Sequence, residues 1–537
     1  MKAVLVGPIQ QENLALGYLA SYARKEGHEV ALVAYAYRAD LDAAVEQILA
    51  GAPDLVGLGI AFQNNVDDYV LLVRTLRQRG YRGHVTCGGH VGTFCYEELL
   101  ALLPELDTVV RHDGEETLVE MLDKLSRGEP VRDLAGVVWR DGSTITKGPV
   151  RRPTTDLDAL PWPRRSPEPY VVGGMVVDFL ITARGCVGEC SYCSIAAYTA
   201  EQKKSYRLRA PEAVAEEIAY AYHERGARVI FVQDDLFVLP GEQAAIARME
   251  RIGKAARARG VTDAVYWIKG RPETITPAVA RAAHAMGAIH MFLGIENASA
   301  QRLRYLGRTH LPLHNESAID SCRQAGIVPS FNFMLFDPDC SLDDVETTLD
   351  MAERNPDLPW NVCRTEVYSG TALRARLEAE GRLQGDFRSY GYRMRDERAE
   401  IMFRVLRVSF HERALAIDSL LNRLISLSFA RQLHERFFPS PETRALVDAV
   451  HRIGVEVRSD TVVRLRTLLE TVRACDPRDH ATLQRFAIDQ ALAIGAWDMP
   501  RRLATESLWA ELHTRGRLLS TGRPSTGPSH FAIASGS

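Results

Sequence analysis

The sequence predicts an α/β protein in three successive parts: an N-terminal doubly wound sheet, a partial (β/α)6 barrel, and a helical C-terminal domain. Three observations carry this reading. Apolar runs alternate with amphipathic helical patterns over the first 130 residues, the alternation resumes with a longer period after a proline-rich stretch, and it stops near residue 385. A chain of 537 residues is also too long for one core.

The first strand is "KAVLVGP", stopped by Gly7 and Pro8, and Leu16, Leu19, Ala20 and Ala23 then follow helical spacing to Gly27. "EVALVAY", "LVGLGIAF" and "HVTCGGH" are further buried strands, separated by the helical "DLDAAVEQILAG" and "VDDYVLLVRTLRQRG". "DTVVRHDGEETLVEMLDKLSRG" adds a fifth strand and helix. In such a sheet ligands sit at the carboxyl ends of the strands, where Gly88, Gly89 and His90 fall. As a bare strand-to-helix turn, the two glycines would need no ligand. Residues 131–169 hold "VVWRDGSTITKG", a hairpin with Asp-Gly at its turn, and the linker "DLDALPWPRRSPEP".

The barrel, residues 170–384, takes its strands from "MVVDFLITA", "RVIFVQ", "AVYWIKG", "IHMFLG", "IVPSFNFMLF" and "NVCRTEVY". Six units fall short of the eight of a closed barrel. Residues 385–516 lose the strand rhythm, and "RAEIMFRVLRVSFHERALAIDSLLNRLISLSF" reads as one long amphipathic helix. Residues 517–537 are low in complexity and are expected to be disordered.

Composition narrows the function. The net charge of -4 gives no reason to expect nucleic acid as a partner, and no apolar stretch is long enough to span a bilayer. The chain opens without a basic segment and apolar core, and its nine cysteines form no paired framework. A cytoplasmic protein without a membrane partner is expected.

Three of those cysteines, Cys186, Cys190 and Cys193, lie in "ARGCVGECSYCSIAAY" on the loop after the first barrel strand, with spacing C-x3-C-x2-C. Gly185 and Gly188 argue against a helix that would merely line the thiols on one face. A zinc site would need a distant fourth ligand. Three thiolates suit a 4Fe–4S cluster with one iron left open.

This stretch, at the end of the first strand of a βα series, resembles the radical S-adenosylmethionine (radical SAM) superfamily. The resemblance implies that the open iron chelates SAM, and that the reduced cluster splits it to methionine and a 5′-deoxyadenosyl radical. It implies an external electron donor of the flavodoxin or ferredoxin type and a small-molecule substrate. By the same resemblance Tyr192 lies near the adenine. Gln233, Asp234 and Asp235 stand where the family commonly has a glycine-glycine-glutamate motif for the SAM amino group, although acidic residues there also suit a helix N-cap. Arg271 in "KGRPE" and Glu296 in "FLGIENAS" match further SAM-contact stretches, with Asn297 in place of the usual serine.

"CGGHVGTFCYEELL", "VVRHDGEETL" and "DLDALPWP" resemble the subgroup with a Rossmann-like, cobalamin-binding-type domain in residues 1–130. This implies cobalamin near Gln63, Gly88, Gly89 and His90. A D-x-H-x-x-G motif is absent, so no histidine in that setting would replace the cobalamin's own base, and "GIAFQNN" lacks the serine often found after the third strand. The implied function is a cobalamin-dependent radical SAM enzyme that C-methylates an unactivated carbon of a small specialised metabolite, a product of natural product biosynthesis. A radical SAM enzyme of rearrangement, dehydration or elimination, with the N-terminal domain as a lid, is the alternative; a non-catalytic metal-binding protein is a third reading. Asn332, Arg364, Glu366 and Tyr368 alternate suitably to line substrate, or to serve as packed polar groups.

Overall fold

The computed structural model describes residues 1–8, 12–203 and 206–520. Contacts group the chain into two compact units, neither a single stretch of chain. The first joins Met1–Pro167, Ala183–Ala210 and Val367–Gly391; the second joins Glu168–Thr182, Pro211–Glu366 and the chain from Tyr392 onward.

In the first unit Lys2–Gly7, Glu29–Ala34, Leu55–Gly59, His84–Gly88 and Thr108–Val110 form a parallel sheet, ordered second, first, third, fourth, fifth. The hairpin Val137–Asp141 and Thr144–Lys147 extends it antiparallel, with Asp141 paired to Thr144 across Gly142 and Ser143. Both faces of the sheet are buried. Val4, Val6, Val56 and Leu58 point into one core with helices Leu41–Gly51 and Val66–Gln78. Their neighbours Ala3, Leu5 and Leu55 point into another with Leu14–Lys25 and Glu115–Ser126. Alternate residues thus serve opposite faces, which is why the strands read as continuous apolar runs. The strand order reverses between the first and third strands, making their carboxyl ends the switch point where such sheets bind ligands.

The second unit carries the six expected parallel strands in chain order: Met175–Leu180, Val229–Val232, Val265–Gly270, Ala288–Leu293, Val328–Phe336 and Trp360–Arg364. A seventh, Tyr170–Val172, pairs antiparallel at the edge. It comes from the run "YVVGGMVVDF", which Gly173 and Gly174 fold back on itself at φ +56° and +82°. A Cβ on Gly174 would stand 2.2 Å from the Gly516 backbone, so this turn and the last helix touch glycine to glycine.

The expected long helix is broken. Glu397–Ser409 gives way to a π turn at His411–Leu415, and a new helix runs Leu420–Phe437. The turn places fully buried Arg413 against Asp498 and Asp460 of the two following helices, Pro441–Ala474 and His480–Leu519. A short hairpin, Leu383–Asp386 with Ser389–Tyr392, also brings strands back where none was expected. Arg517–Leu519 end the last helix, and the rest of the expected tail, residues 521–537, lies outside the described residues.

Helix Leu420–Phe437 packs on the strands through Phe429, whose ring lies 5.4 Å from Phe231 and 5.5 Å from His290. His290 is fully buried, with Nε2 2.7 Å from Ser330 Oγ and Nδ1 accepting from Gln432 Nε2 at 3.1 Å. Burial pushes its pKa down to about 3, so it is held neutral. The unfolded chain binds that proton near the ordinary histidine value, so the His290 contribution to stability is intact at neutral pH. It is lost progressively as pH falls from about 6.5 toward 3. Denaturation midpoints measured between pH 7 and 5 should therefore fall less steeply in His290→Gln than in the parent; equal slopes would reject this assignment.

Candidate active site

The thiol loop belongs to the first unit. Its two ends meet in a short antiparallel ladder, Ala183–Arg184 with Arg207–Leu208. Gly185, at φ +87°, turns the chain immediately before Cys186. Gly188 N–H donates to Cys186 Sγ at 3.3 Å, and Cys193 N–H closes a turn on the Cys190 carbonyl at 3.1 Å. Cys193 is the N-cap of helix Ser194–Glu201, whose positive end favours a thiolate. Cys190 and Tyr192 are buried, while Cys186 and Cys193 are half-buried. Among the described residues no three metal-ligating side chains already converge on one point. The donor set itself is three cysteines, one accepting a backbone N–H as cluster ligands do, and it fits an iron–sulfur cluster.

The neck of this loop is gripped by the end of the fifth strand. Asp113 takes Arg207 at 2.6 Å, the Tyr198 hydroxyl at 3.2 Å, and Arg184 at 4.0 Å. Glu115 takes Arg184 at 2.7 Å, and Arg184 lies over the Tyr18 ring. Burial alone would raise the Asp113 pKa, but Arg184 and Arg207 outweigh it and hold the carboxylate below its ordinary range. His112, at φ +62°, reaches Glu201 at the other end of the helix at 3.0 Å. Sequence reasoning passed over Asp113, Glu115, Arg184 and Arg207. Their signal was an acidic "RHDGEE" run together with arginines flanking the loop.

At the rim of the first unit's sheet, three strands end on Gly7, Gly59 and Gly88. Gly7 and Gly59 make room for the Leu16 side chain, which a Cβ would meet at 2.7 and 3.1 Å, so of the three only Gly88 leaves backbone that a cofactor could approach. Gly88 has extended backbone and room for a side chain, its nearest neighbour being Val110 O at 3.5 Å. Gly89 is fixed by the turn itself: φ is +90° and a Cβ would meet Ile60 O at 2.6 Å. The Gln63 amide accepts from Ser369 N at 2.7 Å and donates to Val367 O at 3.4 Å, tying down that segment. His90 stands edge-on to Tyr198, 5.5 Å between centroids, and burial lowers its pKa.

In the second unit Asp234 is spent on the fold. It accepts from Thr182 N at 2.6 Å and from the Thr182 hydroxyl, locking two neighbouring strand ends. Gln233 is half-buried and Asp235 exposed beside it. Arg271 pairs with Glu273 of its own turn at 2.7 Å. Glu296 has φ +62°, a left-handed strain that a non-glycine residue holds only where its surroundings enforce it. Its carbonyl takes Met334 N at 2.6 Å, and its carboxylate lies 3.7 Å from Arg308. Arg308 and buried His310, whose pKa burial lowers to about 4, were not foreseen. Asn297 replaces the expected serine as a brace, donating to Met334 O and accepting from Ser299 N and Thr348 Oγ1.

Of the lining candidates, Asn332 Oδ1 is buried without a hydrogen-bond partner among the described residues. Arg364 donates to the Tyr392 carbonyl and stacks 3.7 Å above the Tyr392 ring and 4.3 Å above Phe403, as a packed polar group. Glu366 is exposed, and it joins Glu296 and burial in raising the Cys363 thiol pKa. Tyr368, in the first unit, accepts from the Thr371 hydroxyl at 2.6 Å through its carbonyl.

Anaerobic reconstitution should load about four irons per chain. Cys186→Ala, Cys190→Ala or Cys193→Ala should abolish loading, whereas Asp113→Asn should load but lose iron several-fold faster, with Asp113→Glu intermediate. Iron retention unchanged in Asp113→Asn would show that the grip does not hold the loop. Separately, Glu296→Ala should weaken SAM binding about tenfold by equilibrium dialysis with iron content unchanged; loss of iron would make Glu296 a fold residue.

Two protein families match the chain in succession. Residues 5–122 match the B12 binding domain family, and residues 180–352 match the radical SAM superfamily. The chain is 27% identical over 347 residues to an uncharacterized methyltransferase of Pyrococcus horikoshii, covering 64% of this chain and 73% of that protein. It is 26% identical over 377 residues to a hopanoid C-3 methylase of Methylococcus capsulatus, covering 68% of each. The fold matches the cobalamin-dependent SAM radical enzyme OxsB with aqua-cobalamin bound, at TM-score 0.68 and 16% identity, over 97% of this chain and 84% of that one. The two family matches, over residues 5–122 and 180–352, make the chain a member of the radical SAM superfamily, in the group with an N-terminal B12-binding domain.

Proposed function

We propose that this radical SAM enzyme is a cobalamin-dependent methyltransferase acting on an unactivated carbon of a small specialised metabolite. The observation that carries the reading lies within the first unit. Tyr198, on the helix capped by Cys193, touches His90 at the sheet rim and donates to Asp113, so thiol loop and rim are built as one piece. The two methylating relatives support the choice of reaction.

Bound together, cluster, SAM and cobalamin supply hydrogen abstraction from a substrate carbon and a methyl group for that carbon. The protein's part is placement. Cys186, Cys190 and Cys193 would hold the cluster, and Tyr192 would lie near the adenine of SAM. Glu296, fixed by its strained backbone and by Arg308, receives the polar end of SAM. The orphaned Asn332 Oδ1 accepts a hydrogen bond from substrate, because a buried acceptor left unmade is costly. The electron for such a cluster would come from an external donor of the flavodoxin or ferredoxin type. Among the described residues no helix is long and apolar enough to cross a membrane.

The test is product stoichiometry with substrate and added cobalamin. A methylase consumes two SAM molecules per turnover and should release 5′-deoxyadenosine and S-adenosylhomocysteine in comparable amounts. Gly88→Phe, which the local backbone tolerates, should cut cobalamin uptake and S-adenosylhomocysteine while 5′-deoxyadenosine continues. Turnover yielding 5′-deoxyadenosine alone, from protein that takes up no cobalamin, would replace methylation with rearrangement or elimination.

A further inference from the structure

The last helix, His480–Leu519, has two apolar faces. Leu483, Ala487, Ile494 and Leu512 turn inward and are buried. On the outer side Ile488, Leu492, Met499 and Leu503 are 46, 68, 61 and 60% exposed. At 3.6 residues per turn these four lie within about 60° of one another, forming one stripe rather than scattered surface residues. Gly495 and Ala496, both exposed, sit in its middle, where small side chains let another helix come close.

The stripe is its own complement when read in reverse. About the Gly495–Ala496 peptide, Leu492 mirrors Met499, Ile488 mirrors Leu503, Arg485 mirrors Glu506, and Ala481 mirrors Ala510, all exposed. A two-fold interface requires this reciprocity, residue i meeting j while j meets i. A second copy laid antiparallel would stack apolar on apolar in the four layers around the axis and set Arg485 against Glu506 at each end. A parallel pairing would instead face Arg485 with Arg485. Glu506 also takes Arg423 of its own chain at 2.8 Å, yet its side chain remains 53% exposed and can accept a second cation. We infer that the enzyme self-associates as a two-fold dimer through antiparallel pairing of residues 481–510.

Sedimentation of the full-length, cluster-loaded protein across the micromolar range tests this. The parent should sediment as a dimer. Leu492→Glu should raise the dimer dissociation constant at least about tenfold, the change expected for burying a charge in an apolar layer. Arg485→Glu should weaken the dimer, and Arg485→Glu combined with Glu506→Arg should recover part of that loss, as only the antiparallel register allows. Ala496→Cys, beside the axis, should oxidise to a covalent dimer. A parent that stays monomeric overturns the inference, as does a dimer indifferent to Leu492→Glu.

Discussion

A loop that must present three thiolates to one cluster needs its ends fixed, because glycine-rich chain loses most entropy when ordered. Here two neighbouring carboxylates do that work. Asp113 grips Arg207 and Glu115 grips Arg184, the residues flanking the loop, which also pair across the ladder that closes it. A carboxylate buried between two guanidiniums adds little net stability, since desolvation offsets much of the attraction. It does select a single arrangement, because displacing either arginine would leave a buried charge unmatched. The grip comes from the end of a strand in the B12-binding domain, so the position of the cluster loop is set by the sheet whose rim would carry the second cofactor.

The second unit solves a different problem with similar means. Six parallel strands leave an open sheet, and its aromatic face of Phe231, Trp267 and His290 must be covered. Helix Leu420–Phe437 covers it through Phe429. The helical C-terminal domain is therefore part of the barrel's core as well as an appendage to it. Its own order rests on Arg413, fully buried between Asp460 and Asp498, which fixes the π turn that lets the chain change direction. The buried His290–Gln432 contact registers a helix against the strands, and Arg413 registers the helices against one another.

The last helix then uses its two faces separately. Gly516 meets the Gly173–Gly174 turn with no room for a side chain, which fixes the helix along its inner face. The outer stripe plays no part in that packing and is free to serve an interface between copies.

The sequence by itself determined the alternation of strands and helices, because parallel strands buried on both faces must be continuous apolar runs and their helices must be amphipathic. It also determined the thiol loop, since three cysteines among glycines suit few sites other than a cluster with an open iron. The roles of single polar residues were decided by tertiary structure. Asp234 and Gln63 stand at strand ends as ligand contacts would, yet their side chains are bound to Thr182 and to the 367–369 backbone. Arg364 sits at a strand end but stacks on Tyr392 and Phe403. Glu296 stands out through a left-handed backbone that no composition reveals. The reason is physical: periodicity reports which face is apolar, a sum over many residues. The partner of one carboxylate or guanidinium depends on which distant segment folding brings within 3 Å.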